Sequence, residues 1–279
     1  MELETPTSSA LIKLLRQSGR ARPRSLGFGR DRDDEKQPAA LVLVAQVDGL
    51  DAAAARSAVE AGAAAVAFTV GATDAADAGR LGEAVAACGA AAPGVVFGPD
   101  AELSVDLPAK LAEAKIDFLI ASVHRAPAAL LGEEKIARIP AIDASHPPAL
   151  VRALGDMDVD ALCVSPPRRR RNAGELTVYD LMHYRGVAEL ARPPILVVAE
   201  QTIRPEDLQA LRDVGVDGLV LPLARFGGQL SAFRDAVAKV KIQRRRAAAA
   251  EDRGGAFLPR SLPAAASGGG DDDDDDHVD

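Results

Sequence analysis

The chain has 279 residues, which is enough for one large domain or two ordinary ones, and its net charge is −8. Hydrophobic residues make up 48% of the chain but aromatic residues only 3%, so a core has to be built from Ala, Val, Leu and Ile. No run reaches the roughly 18 apolar residues that span a bilayer, and Cys88 and Cys163 have no neighbouring Cys partner. The composition excludes a membrane-spanning class, argues against disulfides and metal sites, and favours a cytoplasmic protein.

The first predicted element is a helix within residues 1–37. The stretch "SSALIKLLRQSG" (8–19) begins with a serine cap and carries apolar residues at helical spacing. A linker rich in arginine follows it. We expect this helix to cover the bottom of the main domain or to pack against its side.

Residues 38–243 alternate between apolar strand segments and helical segments. The predicted strands are 40–47, 64–70, 94–98, 118–123, 136–143, 161–165, 194–200 and 218–223, and the predicted helices are 51–61, 74–88, 106–114, 147–155, 175–190, 205–214 and 229–242. The strands lack apolar–polar alternation, which is typical of a parallel sheet covered on both faces. Eight βα units predict an α/β fold, a (β/α)8 TIM barrel with an extra N-terminal helix. The alternative is an open doubly wound sheet, but no GxGxxG motif follows the first strand.

One phrase recurs four times along this domain. The copies are "VEAGAAAVAF" (59–68), "LAEAKIDFLI" (111–120), "LGDMDVDALCV" (154–164) and "LRDVGVDGLVL" (211–221). Gly62 and Gly215 stand where the end of a helix requires a left-handed residue. Asp117, Asp160 and Asp217 each stand just before a strand, and we interpret these aspartates as structural.

Residues 244–279 form a low-complexity segment that ends in "GGGDDDDDDHVD". Adjacent aspartates repel one another and bury no apolar surface, so the sequence predicts a disordered tail. The acidic tail and the arginine run "RRRR" (168–171) are the candidate sites for protein partners, through charge. No aromatic residue lies among these arginines, which argues against sequence-specific nucleic-acid binding.

Candidate acid–base residues follow the predicted strands, because in a barrel the carboxyl ends of the strands carry the chemistry. They are Asp100, His124, Asp143 and Glu200, with His146 as the alternative to His124 as proton partner. Glu200 ends an apolar strand, where a buried carboxylate needs a partner. An ion pair with Arg204, Arg225 or His124 is therefore the alternative to catalysis. Asp143 is also a candidate cap for the helix predicted at 147–155.

Candidate anion-binding residues follow the sixth and eighth strands. Arg168 and Arg169 lie in the loop "SPPRRRRNAGEL", where guanidinium groups are suited to phosphate or carboxylate; the alternative is a solvated mobile loop. The segment "LARFGGQLSAFRDAV" (223–237) places Arg225, Gly227 and Gly228 before a predicted helix. Glycines let backbone N–H groups approach an anion, and barrels often bind phosphate at this loop.

The segment "AEQTIRPEDLQALRDVGVDGLVLP" (199–222) resembles the seventh and eighth βα units of the ribulose-phosphate-binding barrels, and of the indole-3-glycerol-phosphate synthases in particular. In that family a Glu-Ser-Gly-Ile strand end precedes a helix with Pro-Glu-Asp and a Gly-Ala-Asp or Gly-Val-Asp strand start. The N-terminal helix is also similar to the family's extra helix. The resemblance implies a TIM barrel in which Glu200 occupies a catalytic position.

Most of the family's catalytic residues are not matched. The first strand, "LVLVAQVDGLD", has no lysine where the family has one, and the third, "VVFGPD", keeps Asp100 without its lysine. The sixth strand ends in "CVSPP" instead of supplying an asparagine, and Gln201 and Thr202 replace the Ser-Gly of the phosphate loop. The resemblance therefore implies neither synthase activity nor Schiff-base chemistry.

Two functions remain open at this point. One is an enzyme, a lyase or isomerase, that acts on a small anionic and phosphorylated ligand without a cofactor; a flavin phosphate held by the same glycines is a further alternative. The other is a catalytically inactive barrel that serves as a scaffold or interaction component. An enzyme should have Glu200 in an open mouth near an Asp or His, whereas a scaffold should have a plugged mouth.

Overall fold

Eight parallel strands close into a barrel in the order of the sequence, which confirms the predicted fold. The structure is a computed structural model that describes residues 9–18, 39–71, 77–98, 101, 103–132, 134–167, 174–200 and 203–242. The strands are β1 Val42–Asp48, β2 Ala65–Val70, β3 Ala92–Phe97, β4 Phe118–Ser122, β5 Ala137–Asp143, β6 Leu162–Ser165, β7 Ile195–Val198 and β8 Gly218–Pro222. All eight coincide with predicted strands to within two residues at either end.

The barrel closes where β1 pairs with β8. The register runs in parallel from Val42 opposite Gly218 to Gln46 opposite Pro222. Each strand therefore has a hydrogen-bonded neighbour on both sides, and the sheet has no free edge. All carboxyl ends lie at one end of the barrel, which we call the mouth.

Helices surround the strands. The α-helices of the described residues are α1 Ala10–Ser18, α2 Ala52–Glu60, α3 Ala78–Ala87, α4 Leu107–Glu113, α5 Pro148–Asp156, α6 Val178–Leu190, α7 Leu208–Asp213, α8 Leu223–Phe226 and α9 Leu230–Val237. The sequence did not predict α8, which begins directly after β8, because its four residues are too few to show a periodic pattern. None of the helices in these ranges has the length and apolar character that crossing a bilayer requires.

The barrel interior is packed with small and branched side chains from alternate strand positions. They are Val42, Val44, Ala65, Ala67, Ala92, Phe118, Ile120, Ala137, Ile139, Ala161, Cys163, Leu196 and Val220. The intervening strand residues form two other apolar clusters with the surrounding helices. Both faces of each strand are thus buried, which is why the strands show no apolar–polar alternation.

Helix α1 plugs the bottom of the barrel. Its residues Leu11, Ile12 and Leu15 are at most 3% exposed and join the interior cluster. Burial of such side chains contributes about 2 kcal/mol each. Of the two expected positions for this helix, the structure shows the one at the bottom.

Asp117 caps the start of α1, although it lies 107 residues from Ala10 in the sequence. Its carboxylate accepts hydrogen bonds from the backbone N–H groups of Ala10 and Leu11, at 2.8 and 3.1 Å, and from the Ser9 hydroxyl. The first N–H groups of a helix have no partner within the helix, so this carboxylate satisfies two of them. A residue just before β4 thereby holds the plug in place.

The two other aspartates of the repeated phrase also have structural roles. Asp160 accepts from the backbone N–H and from Nε of the buried Arg138, at 2.9 and 3.1 Å. Asp217 accepts from the backbone N–H of Ile195 and from Nη1 of Arg212, at 3.0 and 2.7 Å. The structural interpretation of the three aspartates is therefore correct.

Three of the four copies of the repeated phrase also share one backbone conformation, and the copy at 154–164 does not. Gly62 and Gly215 have φ values of 105° and 100°, as the predicted helix ends require. Lys115 occupies the matching position in the second copy with φ of 62°. The left-handed turn between helix and strand is therefore kept even where the residue has a β-carbon.

Replacing Asp117 by Ala should lower the free energy of unfolding by about 1–2 kcal/mol, since α1 loses its capping carboxylate. Urea unfolding followed by circular dichroism measures the change. The matched control is Asp106→Ala, because Asp106 precedes α4 without a side-chain cap hydrogen bond. Equal losses in the two variants would contradict the capping role.

Replacing Gly218 by Ala should destabilise the barrel by about 1–3 kcal/mol. A β-carbon there would lie 2.7 Å from the Val42 carbonyl oxygen and 2.7 Å from Cδ2 of Leu196, at the strand pair that closes the barrel. The control is Gly98→Ala, because no atom lies within 4 Å of its added β-carbon. Urea midpoints that fall by the same amount in both variants would refute the packing argument.

Candidate functional site

The inward-facing strand residues change from apolar to polar at the mouth. Side chains two positions apart lie on the same face of a strand, so the last inward residue of each strand follows an apolar one. The pairs are Val44 and Gln46, Ala67 and Thr69, Ile120 and Ser122, Ala141 and Asp143, Cys163 and Ser165, and Val198 and Glu200. A ring of polar side chains therefore stands on an apolar floor.

This ring surrounds a cavity of about 320 Å³. The lining residues are Gln46, Thr69, Val96, Phe97, Gly98, Ile120, Ser122, His124, Ala141, Ile142, Asp143, His146, Cys163, Ser165, Val198, Glu200 and Val220. The volume lies at the small end of the range for small-molecule sites, roughly 300–1,000 Å³. As far as the described residues go, the mouth is thus open, as we expect of a ligand-binding barrel rather than of a plugged scaffold.

The structure brings three of the predicted acid–base residues together. Glu200, Asp143 and His124 all line the cavity. Arg225, Gly227 and Gly228 follow β8 and are not among the lining residues. Asp100, Arg168 and Arg169 lie outside the described residues, as do the rest of the arginine run and the acidic tail.

Asp143 is held by the turn that follows β5. Its side chain is 7% exposed, and Oδ1 accepts hydrogen bonds from the backbone N–H of Ser145, at 2.9 Å, and from the Ser145 hydroxyl. The alternative interpretation of Asp143 as a helix cap is wrong, because α5 begins after Pro147 without a side-chain cap. The proline's fixed φ starts this helix instead. Asp51 does cap α2, through the N–H groups of Ala53 and Ala54.

Glu200 is connected to the loop after β8. Nη1 of Arg225 donates a hydrogen bond to the Glu200 backbone carbonyl, and the Arg225 guanidinium lies 5.4 Å from the ring centre of the buried Phe226. Arg204, another predicted partner of Glu200, forms an exposed ion pair with Glu175. The guanidinium of Arg225 therefore lies beside the backbone of a residue that lines the cavity.

The glycines after β8 belong to a helical segment. Gly227 ends α8, and its backbone N–H donates to the Leu223 carbonyl. Gly227–Gln229 then forms one turn of 3-10 helix before α9. The N–H of Gly227 is thus used within the helix, whereas Arg225 and both glycines are exposed to solvent.

Cys163 forms part of the cavity floor. Burial, together with a smaller effect of the nearby Glu200 carboxylate, raises the pKa of its thiol to about 12. Burial likewise raises the pKa of Cys88, on α3's C-terminal side, to about 11. Both cysteines are therefore neutral thiols at physiological pH rather than nucleophiles.

The sequence placed Gln46, Thr69, Ser122 and Ser165 near strand ends without selecting them as site residues, whereas His146, which also lines the cavity, was an alternative to His124. Nε2 of Gln46 donates to the Thr69 hydroxyl at 2.9 Å, which joins β1 and β2 across the cavity wall. The signal that identifies them is their position two residues beyond a buried inward residue. In the described part of the chain, no group of three or more His, Cys, Asp or Glu is arranged to hold a metal ion.

The fold and the position of this cavity define a (β/α)8 barrel with its polar site at the carboxyl ends of the strands. The sequence matches no protein-family profile, and no curated protein matches it significantly.

Solved structures match the fold. A Mycobacterium tuberculosis tryptophan synthase has a TM-score of 0.57 at 14% identity, with 84% of this chain and 98% of that chain covered. A thiamine phosphate pyrophosphorylase from Pyrococcus furiosus has a TM-score of 0.55 at 16% identity, with 71% and 96% covered. A tryptophan synthase alpha-subunit from the same organism has a TM-score of 0.53 at 13% identity, with 72% and 96% covered. Such low identities establish the barrel fold alone, and the more specific resemblance to the indole-3-glycerol-phosphate synthases stays a prediction.

The stability of the protein should fall more steeply with rising pH in the unaltered chain than in Cys163→Ala. An unfolded thiol loses its proton near pH 8.5, whereas the folded Cys163 thiol keeps it up to about pH 12. Rising pH between these values therefore lowers the free energy of the unfolded state relative to the folded state. At 1.36 kcal/mol per unit of pKa, the excess loss between pH 8 and pH 10 is about 2 kcal/mol. Urea unfolding at both pH values measures it, and parallel losses in the two proteins would refute it.

Proposed function

We propose that this barrel binds a small phosphorylated anion at its mouth and acts on it as a lyase or isomerase. The observation that carries the proposal is the link between Arg225 and Glu200. The guanidinium of Arg225 binds the backbone carbonyl of Glu200, whose side chain lines the cavity. A cation therefore lies next to a cavity that contains acid–base groups.

The two ends of the ligand have different roles in this proposal. Its phosphate would lie on the rim, near Arg225 and the exposed glycines 227 and 228, with Arg168 and Arg169 as further candidate cations. Its reacting end would enter the cavity. A guanidinium suits the phosphate because it offers several N–H donors in a planar array.

The cavity supplies groups suited to moving protons. Glu200, Asp143 and His124 line it, and Asp100 is a further candidate that follows β3. Carboxylates and imidazoles transfer protons without a cofactor when they lie within hydrogen-bond reach of the substrate. Proton removal next to a carbonyl, followed by elimination or by return of the proton elsewhere, is the chemistry of lyases and isomerases.

The similar structures support a phosphorylated ligand. One of them is named for thiamine phosphate, and two are tryptophan synthases, so the fold is used for enzymes. The open mouth also supports a ligand-binding barrel, because a scaffold has no need of a polar cavity of about 320 Å³.

If a phosphate site lies beside Arg225, ribulose 5-phosphate, inorganic phosphate or FMN should raise the midpoint of thermal unfolding, Tm. A ligand at millimolar concentration with micromolar affinity stabilises the native state by roughly 4 kcal/mol, which raises Tm by roughly 10 °C. The double variant Gly227→Ala, Gly228→Ala should lose the shift, because its methyl groups crowd the exposed surface on which the phosphate would lie. It should still fold, since neither added β-carbon meets an atom closer than 3.9 Å.

Acid–base chemistry is tested separately by incubating the protein with ribulose 5-phosphate in D2O. We expect deuterium to replace the proton next to the carbonyl, as seen by proton NMR. Glu200→Gln, which keeps the shape and removes the charge, should slow this exchange at least 100-fold and leave the Tm shift in place. If none of the three compounds raises Tm and no exchange occurs, the proposed function is wrong.

A further inference from the structure

We infer that His146 is the proton-transfer residue of the cavity and that Asp143 is a positioning residue, which holds the His146 imidazole with its hydrogen on Nδ1. The inference rests on the proposed function and decides between the two histidines, His124 and His146, that the sequence offered as proton partners. It also changes the role of Asp143, from an acid–base group to a support for one.

Asp143 is poorly placed to exchange protons with a ligand. Its side chain is 7% exposed, and Oδ1 already accepts two hydrogen bonds from Ser145. The other oxygen, Oδ2, lies 3.8 Å from Nδ1 of His146. The Ser145 contacts therefore orient the carboxylate so that its second oxygen faces the imidazole.

His146 is held on the cavity wall by its backbone. Its N–H donates to the Asp143 carbonyl at 3.1 Å, which closes a turn, and Pro147 follows with a φ of −55°. The His146 side chain is 13% exposed and lines the cavity. The separation of 3.8 Å is longer than a hydrogen bond, but catalytic hydrogen bonds that are long in the free protein often tighten when a ligand completes the site.

The carboxylate decides which ring nitrogen carries the hydrogen. A neutral imidazole has one N–H, and the acceptor beside one nitrogen selects where it resides. With Asp143 beside Nδ1, the hydrogen stays there and Nε2 keeps its lone pair. Nε2 then becomes the base that a ligand in the cavity meets.

Three other titratable groups line the same cavity. The His124 ring centre lies 5.6 Å from that of His146, but His124 is exposed and follows β4. Cys163 is a protonated thiol on the floor. Glu200 follows β7, which is two strands away from β5 in the barrel. Among the residues that the structure describes, His146 is the imidazole of this cavity that has a carboxylate facing its Nδ1.

The tautomer can be read from nitrogen NMR of the full chain labelled with ¹⁵N, at pH 8, where ordinary histidines are neutral. Single His→Gln variants assign the signals of the four histidines. We expect hydrogen on Nδ1 of His146 in the unaltered protein and a shift towards Nε2 in Asp143→Ala. Ser145→Ala, which retains the carboxylate, should keep the hydrogen on Nδ1.

His183 provides an internal control in the same spectra. Its Nδ1 lies 3.0 Å from the Ala144 carbonyl oxygen, which can only accept, so this nitrogen carries the hydrogen. His183 should keep that tautomer in every variant whose fold is intact. Hydrogen on Nε2 of His146 in the unaltered protein would overturn the inference, whether or not the variants fold.

The exchange reaction in D2O separates this inference from the proposed function. His146→Gln should slow the exchange at least 100-fold without reducing the Tm shift, because the phosphate lies elsewhere. Exchange that survives His146→Gln but not Glu200→Gln overturns the inference alone. Absence of exchange in the unaltered chain overturns the proposed function, and the catalytic role of His146 with it.

Discussion

The hydrogen-bonded pairing of β1 with β8 is the constraint on which the rest of this structure depends. Parallel strands leave unpaired N–H and C=O groups at both edges of an open sheet, and closure satisfies them. The helical connections direct every strand the same way, and closure then brings the eight carboxyl ends together around one mouth. A polar residue at the end of any strand then becomes a neighbour of the others, however distant it is in sequence.

The two ends of the barrel use polar residues for different purposes. At the bottom, the aspartates that precede strands have structural roles. Asp117, Asp160 and Asp217 accept hydrogen bonds from backbone groups and arginines of other elements, and they thereby connect those elements. At the mouth, Asp143 and Glu200 stand after their strands and line a cavity. Because α1 seals the bottom with apolar side chains, a ligand reaches the interior through the mouth.

Within the mouth, burial divides the titratable groups by role. Burial keeps Cys163 protonated, which makes it part of the floor. Asp143 is buried but hydrogen-bonded to Ser145, and its second oxygen faces His146. Glu200 is less buried than Asp143, and its backbone carbonyl accepts a hydrogen bond from Arg225. The arrangement thus combines a neutral floor, an oriented carboxylate and imidazole, and a cation near the rim.

The sequence by itself determined the eight strands, their parallel arrangement and the plug helix, because apolar runs and helix signals are local patterns that the chain carries in order. It also placed Glu200, Asp143 and His124 at strand ends. Only the tertiary structure decided that the Asp143 carboxylate faces His146 instead of capping α5, and that β8 runs directly into a helix at Leu223. Those choices depend on distances between side chains and on which face of a strand turns inward, and neither is set until the barrel has closed.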